Sequence, residues 1–289
     1  MHPISFESIG TSWKIEFEGS VPKEKIENSI FKFLEDFSKV YSRFRADSLV
    51  SLISENAGEF LFPESIKTLF PLYEKLYKLT DGKFTPLIGS LMNDTGYDAN
   101  YSFKERAARK IDKLSDVIQY EKQKITTKKA LDMDFGAMGK GYAIDEMTRL
   151  LKKLSIKEFV IDGGGDIFIQ TSKKIRIGLE NPHNTSEVIG IVELSSGSLC
   201  ASSGNRRKWG KFHHIMDPDS LSSVNNVLAA WAIAENATVA DALATALFLT
   251  NPDKLMNEFD FNYLVLYPDL SVNISKEFPG EIFYNKNND

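Results

Sequence analysis

The chain has 289 residues and a net charge of −5, with an isoelectric point of about 5.6. That balance argues against the basic face of a nucleic-acid binder. A single cysteine, Cys200, excludes an internal disulfide, and with four histidines in all a structural zinc centre is not expected.

The first stretch, "MHPISFESIGTSWKIEFEG", is polar and strand-like, with no apolar run of signal-peptide length. No later stretch approaches the length of a membrane span, so the expected location is cytoplasmic. Within it, "TSWKIEFEG" alternates and predicts an edge or hairpin strand. "KEKIENSIFKFLEDFSKVYSRF" carries Ile26, Ile30, Phe33, Leu34 and Phe37 at helical spacing. "PESIKTLFPLYEKLYKLTDG" predicts a second amphipathic helix, with an interruption at Pro71 and an end marked by Asp81 and Gly82. "ALDMDFG" reads as a strand, "KGYAIDEMTRLLKKL" as a helix, and "EFVIDGGGDIFI" and "KIRIGLE" as two further strands. "EVIGIVELSSGSLCASSG" is strand-rich and places Cys200 as a small buried residue. A helix is expected from near Asn236, then two strands around a Pro-Asp turn in "NYLVLYPDLSVNIS", and a frayed tail, "YNKNND". Helices and strands mix without strict alternation. The expected fold class is α+β with a mostly antiparallel sheet, and residues 1–289 read as one domain.

"DFGAMGKGYAID" places Gly136, Gly139 and Gly141 around Lys140, just ahead of a helix. It is not a P-loop, because Gly141 follows Lys140 where Ser or Thr is required. "GGGDIF" is not a dinucleotide fingerprint, because Phe168 stands where the third glycine belongs. Two readings remain for each loop. The glycines either permit tight packing and a turn, or let backbone N–H groups approach an anion, with Lys140 or Asp166 beside it. Asp241 and Thr245 lie four apart on one helix face. They are either a cap and a back-bonded hydroxyl, or hard oxygen ligands of the kind Mg²⁺ takes. In "FHHIMDP" an extended backbone turns His213 and His214 to alternate faces, so one points inward, either as a core histidine with a satisfied hydrogen bond or as a general base.

In this order the patches resemble the ApbE family of flavin transferases. They are "GTSW", "YSRFRADSLVSLI", "DGKFTPLIGSLMNDTGY", "DFGAMGKGYAID", "DGGGDI", "SSGNRRKWGKFHHIMDP" and "VADALATAL". The resemblance implies transfer of FMN from FAD to a threonine hydroxyl of a target flavoprotein, with Mg²⁺ and release of AMP. It implies Asp241, Thr245 and the carbonyl of Ala137 as the Mg²⁺ site, and His214 as catalytic base, with Lys140. Ile9, Phe44, Lys140, Gly141, Gly164, Gly165, Asp166, Ser203 and Gly204 would line the FAD site, with Phe44 where the family stacks a tyrosine on the flavin. The same site suits two alternatives, an FAD pyrophosphatase giving FMN and AMP, and an FAD-binding protein without turnover. The chain departs from the family pattern at Ser54, Thr85, Arg206, Ser220 and Leu221, where the family usually carries Asn, Asp, Tyr, Thr and Gly.

Overall fold

A computed structural model describes residues 2–283. The expected tail, Tyr284–Asp289, lies outside them. Among the described residues a nine-stranded sheet forms the centre. Its path runs His2–Ser8, Thr11–Glu18, Glu158–Gly163, Ile167–Asn181, Asn184–Ser203, Ala229–Ala234, Asn262–Leu266 and Val272–Ile274. Gly280–Ile282 pairs with the outer part of Asn184–Ser203. Every pairing in this sheet is antiparallel. The fold is therefore α+β, as the mixture of elements predicts.

Alternation along each strand separates two cores. Trp13, Ile15 and Phe17 in one strand and Cys200 in another join the larger core. Into the same core helix Lys23–Tyr41 buries Ile26, Ile30, Leu34 and Phe37. Neighbours such as Ile169 and Leu199 face the smaller core on the opposite side, with Trp231 and Leu264. Ala229–Ala234 is buried on both faces, which is why it reads as an unbroken apolar run. Ala230 and Ala232 face helix Ala237–Ala246, itself rich in buried alanine, so helix and sheet approach closely. Each fully buried Ile or Leu contributes about 1.5–3 kcal/mol relative to exposure.

Three local expectations are corrected. Helix Ile66–Leu79 runs through Pro71 without a break. Pro71 is on its exposed face, where water can meet the carbonyl left without an N–H partner. Residues 130–136 form no strand. Their alternation is real, with Leu131, Met133 and Phe135 buried. The backbone meets scattered acceptors instead of a ladder, Leu131 N–H donating to Ile53 O and Asp134 N–H to Pro86 O. The run 158–169 is two strands, because Gly164 and Gly165 take φ of +71° and +95° and turn the chain back. The second strand then continues to Asn181, absorbing "KIRIGLE".

Candidate active site

Helix Gly139–Lys153 begins where the apolar spacing starts and carries Lys140 in its first turn. The Lys140 ammonium bonds to Asp166 from the glycine turn and lies 3.3 Å from Asp241 Oδ1 on helix Ala237–Ala246. Burial opposes the Lys140 charge, but Asp166 and Asp241 more than offset it and hold the ammonium above its ordinary value. Asp166 is itself fixed by Ala201 N–H at 3.0 Å. Asp241 Oδ2 accepts from Gly141 N–H at 2.8 Å. Burial raises the Asp241 carboxyl, Lys140 counteracts it, and Asp166 raises it further.

The two helices exchange carboxylates. Asp145, on the Lys140 helix, accepts from Ala237 N–H at 2.8 Å, Thr238 N–H at 2.9 Å and the Thr238 hydroxyl. Asn236 supplies the side-chain cap by accepting from Val239 N–H at 3.0 Å. Asp241 is therefore no cap of its own helix. Its place is the first turn of the neighbouring one, where free N–H groups and the dipole favour negative charge. Asp145→Ala should destabilise the protein by about 3 kcal/mol, because buried N–H groups lose a charged acceptor. Urea denaturation would read this as a lower midpoint at unchanged slope.

Gly141 is a packing residue. A side chain there would overlap the Ala237 carbonyl and crowd Asp241 Cβ at 2.8 Å. Gly141→Ala should cost about 1–3 kcal/mol, seen as a lower melting temperature.

A cavity of about 560 Å³ opens over this cluster. It is lined by Ile9, Phe44, Ala137, Lys140, Gly164, Gly165, Ser203, His214, Asp241 and Thr245, so these expected site residues come together. Asp166 stands behind Lys140 and Gly141 behind Asp241. Gly204 does not line the cavity; a side chain there would meet the His213 ring at 3.2 Å. The Thr245 hydroxyl pairs with Ser202 Oγ at 3.1 Å.

The two histidines sit in different surroundings. His213 is buried, its Nε2 bonded to Val224 O at 2.8 Å and its Nδ1 accepting from Ile215 N–H at 3.3 Å. His214 faces the cavity. Burial, then the charges of Arg207, His213 and Lys140, pull it down to about 3, so it is neutral near neutral pH. Its Nδ1 has no hydrogen-bond partner.

The structure adds residues the sequence reading missed. Arg43, Tyr97, Tyr101 and Asp134 join Phe44 on one wall. Arg43 bonds Asp134 at 2.6 Å and lies with its guanidinium 4.2 Å from the Phe44 ring centre. Tyr101 stacks on Phe44 with ring centres 5.2 Å apart and 7° between planes. The Phe44 ring is thus already covered in part by Tyr101 and the Arg43 guanidinium. Only the aromatic content of 97–103 could have signalled this wall.

Two departures from the family pattern have local reasons. Thr85 caps the turn Pro86–Ile88 by accepting from Leu87 N–H at 3.2 Å, a role an aspartate also fills. Leu221 holds φ of +53°, where glycine is unstrained, and packs against the small cluster of Leu91, Trp209, Phe212 and Met216.

Among the described residues, no group of three or more His, Cys, Asp or Glu side chains forms a metal cluster. The residues present still fit one hard cation. Two buried carboxylates, Asp166 and Asp241, face one ammonium, and the Thr245 hydroxyl and Ala137 border the same space. A sparse set of hard oxygens is the kind of donor set Mg²⁺ takes. No helix among the described residues is long and apolar enough to cross a membrane.

Known proteins resemble this chain over nearly its full length. An FAD:protein FMN transferase of Haemophilus influenzae is 27% identical, covering 91% of this chain and 85% of its own. One of Vibrio cholerae is 24% identical, covering 90% and 85%. The crystal structure of an ApbE protein from Thermotoga maritima superposes with a TM-score of 0.83 at 22% identity, covering 95% of this chain and 97% of that one. The model of the ApbE family matches residues 9–262, and the chain belongs to that family.

Proposed function

We propose that this chain, acting as one flavin transferase domain, moves FMN from FAD to a threonine hydroxyl of an acceptor flavoprotein and releases AMP, with Mg²⁺ required. The observation that carries the reading is the meeting of Lys140, Asp241, Thr245 and His214 on one cavity. FAD lies with its isoalloxazine toward Phe44, Tyr97 and Tyr101 and its diphosphate toward Lys140. The names of the relatives support flavin transfer as the reaction class.

Asp241, the Thr245 hydroxyl and the Ala137 carbonyl would hold the Mg²⁺. When bound, it would withdraw charge from the diphosphate and stabilise the departing AMP. Asp166 keeps Lys140 charged and fixed, so the ammonium is oriented before substrate arrives. His214 takes the proton of the threonine hydroxyl. A bond forms between the threonine Oγ and the phosphorus of the FMN moiety. The phosphoanhydride bond to AMP breaks, and its electron pair leaves with AMP. Gly164 packs against Thr11, whereas Gly165 leaves open space for the phosphates, since no atom would lie within 4 Å of a side-chain carbon added there.

The test incubates the protein with FAD, Mg²⁺ and a threonine-bearing acceptor. Mass spectrometry should find the FMN mass on threonine, and chromatography should find equimolar AMP. Free FMN with AMP, and no acceptor adduct, would replace transfer by hydrolysis. FAD bound without any turnover would leave only a binding protein.

A further inference from the structure

Five lysine and arginine side chains line the cavity: Arg43, Lys83, Lys140, Arg206 and Arg207. Four are paired. Arg43 holds Asp134 at 2.6 Å, Lys83 holds Asp217 at 3.0 Å, Arg206 holds Glu180 at 2.7 Å, and Lys140 bonds to Asp166 and Asp241. Among the described residues Arg207 has neither an ion pair nor a side-chain hydrogen bond. A half-buried guanidinium without a counter-charge is costly to hold, and it is matched when an anion enters.

Its position narrows the anion. The Arg207 carbonyl accepts from His214 N–H at 3.2 Å, so this arginine and the proposed base share one piece of backbone. Its Nη2 lies 3.9 Å from the point where a side-chain carbon on Gly10 would stand. Gly10 turns with φ of +75° and presents no side chain there. The next residue, Thr11, packs on Gly164, and the following Gly165 has open space beside it. The guanidinium thus lines the same cavity as the base and stands over Gly10, next to the Thr11 that packs on the glycine turn.

We propose that Arg207 binds the phosphoryl group under attack and stabilises the charge that builds on its oxygens during transfer. This deepens the flavin-transfer reading and rests on it for the identity of the phosphoryl group. Burial is the main cause that lowers His214, and the positive charge of Arg207 lowers it further. A bound phosphoryl group neutralises that charge and makes His214 a better proton acceptor at the moment it is needed. A planar fork with several donors suits a phosphoryl group better than a single ammonium does.

The test uses the full chain and Arg207→Gln, Arg207→Lys and Lys208→Gln. Lys208 is an exposed neighbour outside the cavity and serves as a charge control. Inorganic pyrophosphate with Mg²⁺, followed by calorimetry, probes the phosphate site without flavin or acceptor. Arg207→Gln should bind it about 10-fold or more weakly, with Arg207→Lys between the two and Lys208→Gln like the parent. Transfer by Arg207→Gln should fall by about 10²–10³-fold in kcat/KM at an unchanged melting temperature. Equal pyrophosphate affinity in the parent and Arg207→Gln, or no binding by the parent, overturns the proposal. Weakened pyrophosphate binding alongside a parent that transfers no flavin keeps the phosphate role of Arg207 and removes the flavin-transfer reading.

Discussion

Replacing Asp241 with asparagine is expected to lower FMN transfer by about two to three orders of magnitude while the protein stays folded. Asparagine keeps an oxygen for Gly141 N–H but removes the negative charge that would hold the cation. The stability side has a definite sign. Burial raises the Asp241 carboxyl above its unfolded value, so across that interval the folded chain binds more protons than the unfolded one. Stability of the ligand-free protein then falls as pH rises above the ordinary aspartate range, and the contribution is lost once the folded carboxyl ionises. Asp241→Asn lacks that slope. Denaturation at pH 5 and pH 8 should show the variant gaining on the parent at the higher pH, even as its transfer rate collapses. Transfer within threefold of the parent would sink the assignment of Asp241.

Replacing His214 with alanine should cost about 10²–10⁴-fold in transfer, the range for loss of a positioned general base. FAD affinity should change by only a few fold, because the cavity's ion-paired frame does not pass through the imidazole. His213 makes the contrasting case. Its ring bonds bridge Val224 and Ile215, so His213→Ala removes structural hydrogen bonds and should lower the melting temperature. A variant at His214 that melts early and binds FAD poorly would reassign it from base to scaffold.

Local patterns in the sequence carried much of the fold. The stripe of Ile26, Ile30, Leu34 and Phe37 marks a helix because the 3.6-residue period is written into the chain itself. Trp13, Ile15 and Phe17 mark a strand in the same way. "ALDMDFG" shows where such patterns stop. Alternation says which side chains point inward, but a strand also needs a partner, and residues 130–136 have none. Most of the expected site residues share the cavity because glycine, lysine, histidine and aspartate clusters are visible one loop at a time. The bonds of Asp145 to Ala237 and of Arg43 to Asp134 were not legible, since each joins residues about ninety positions apart. The isolation of Arg207 was hidden for the same reason. Whether a charge has a partner is a property of the folded neighbourhood.

The crossed carboxylates of Asp145 and Asp241 also set when the pocket first exists during synthesis. Lys140 leaves the ribosome long before Asp241, and until then the ammonium lacks one of its two anions while the second helix has not arrived to be capped. A nascent chain ending before Ala237 therefore has no Asp241 beside Lys140, and the pocket cannot be assembled until helix Ala237–Ala246 has been made.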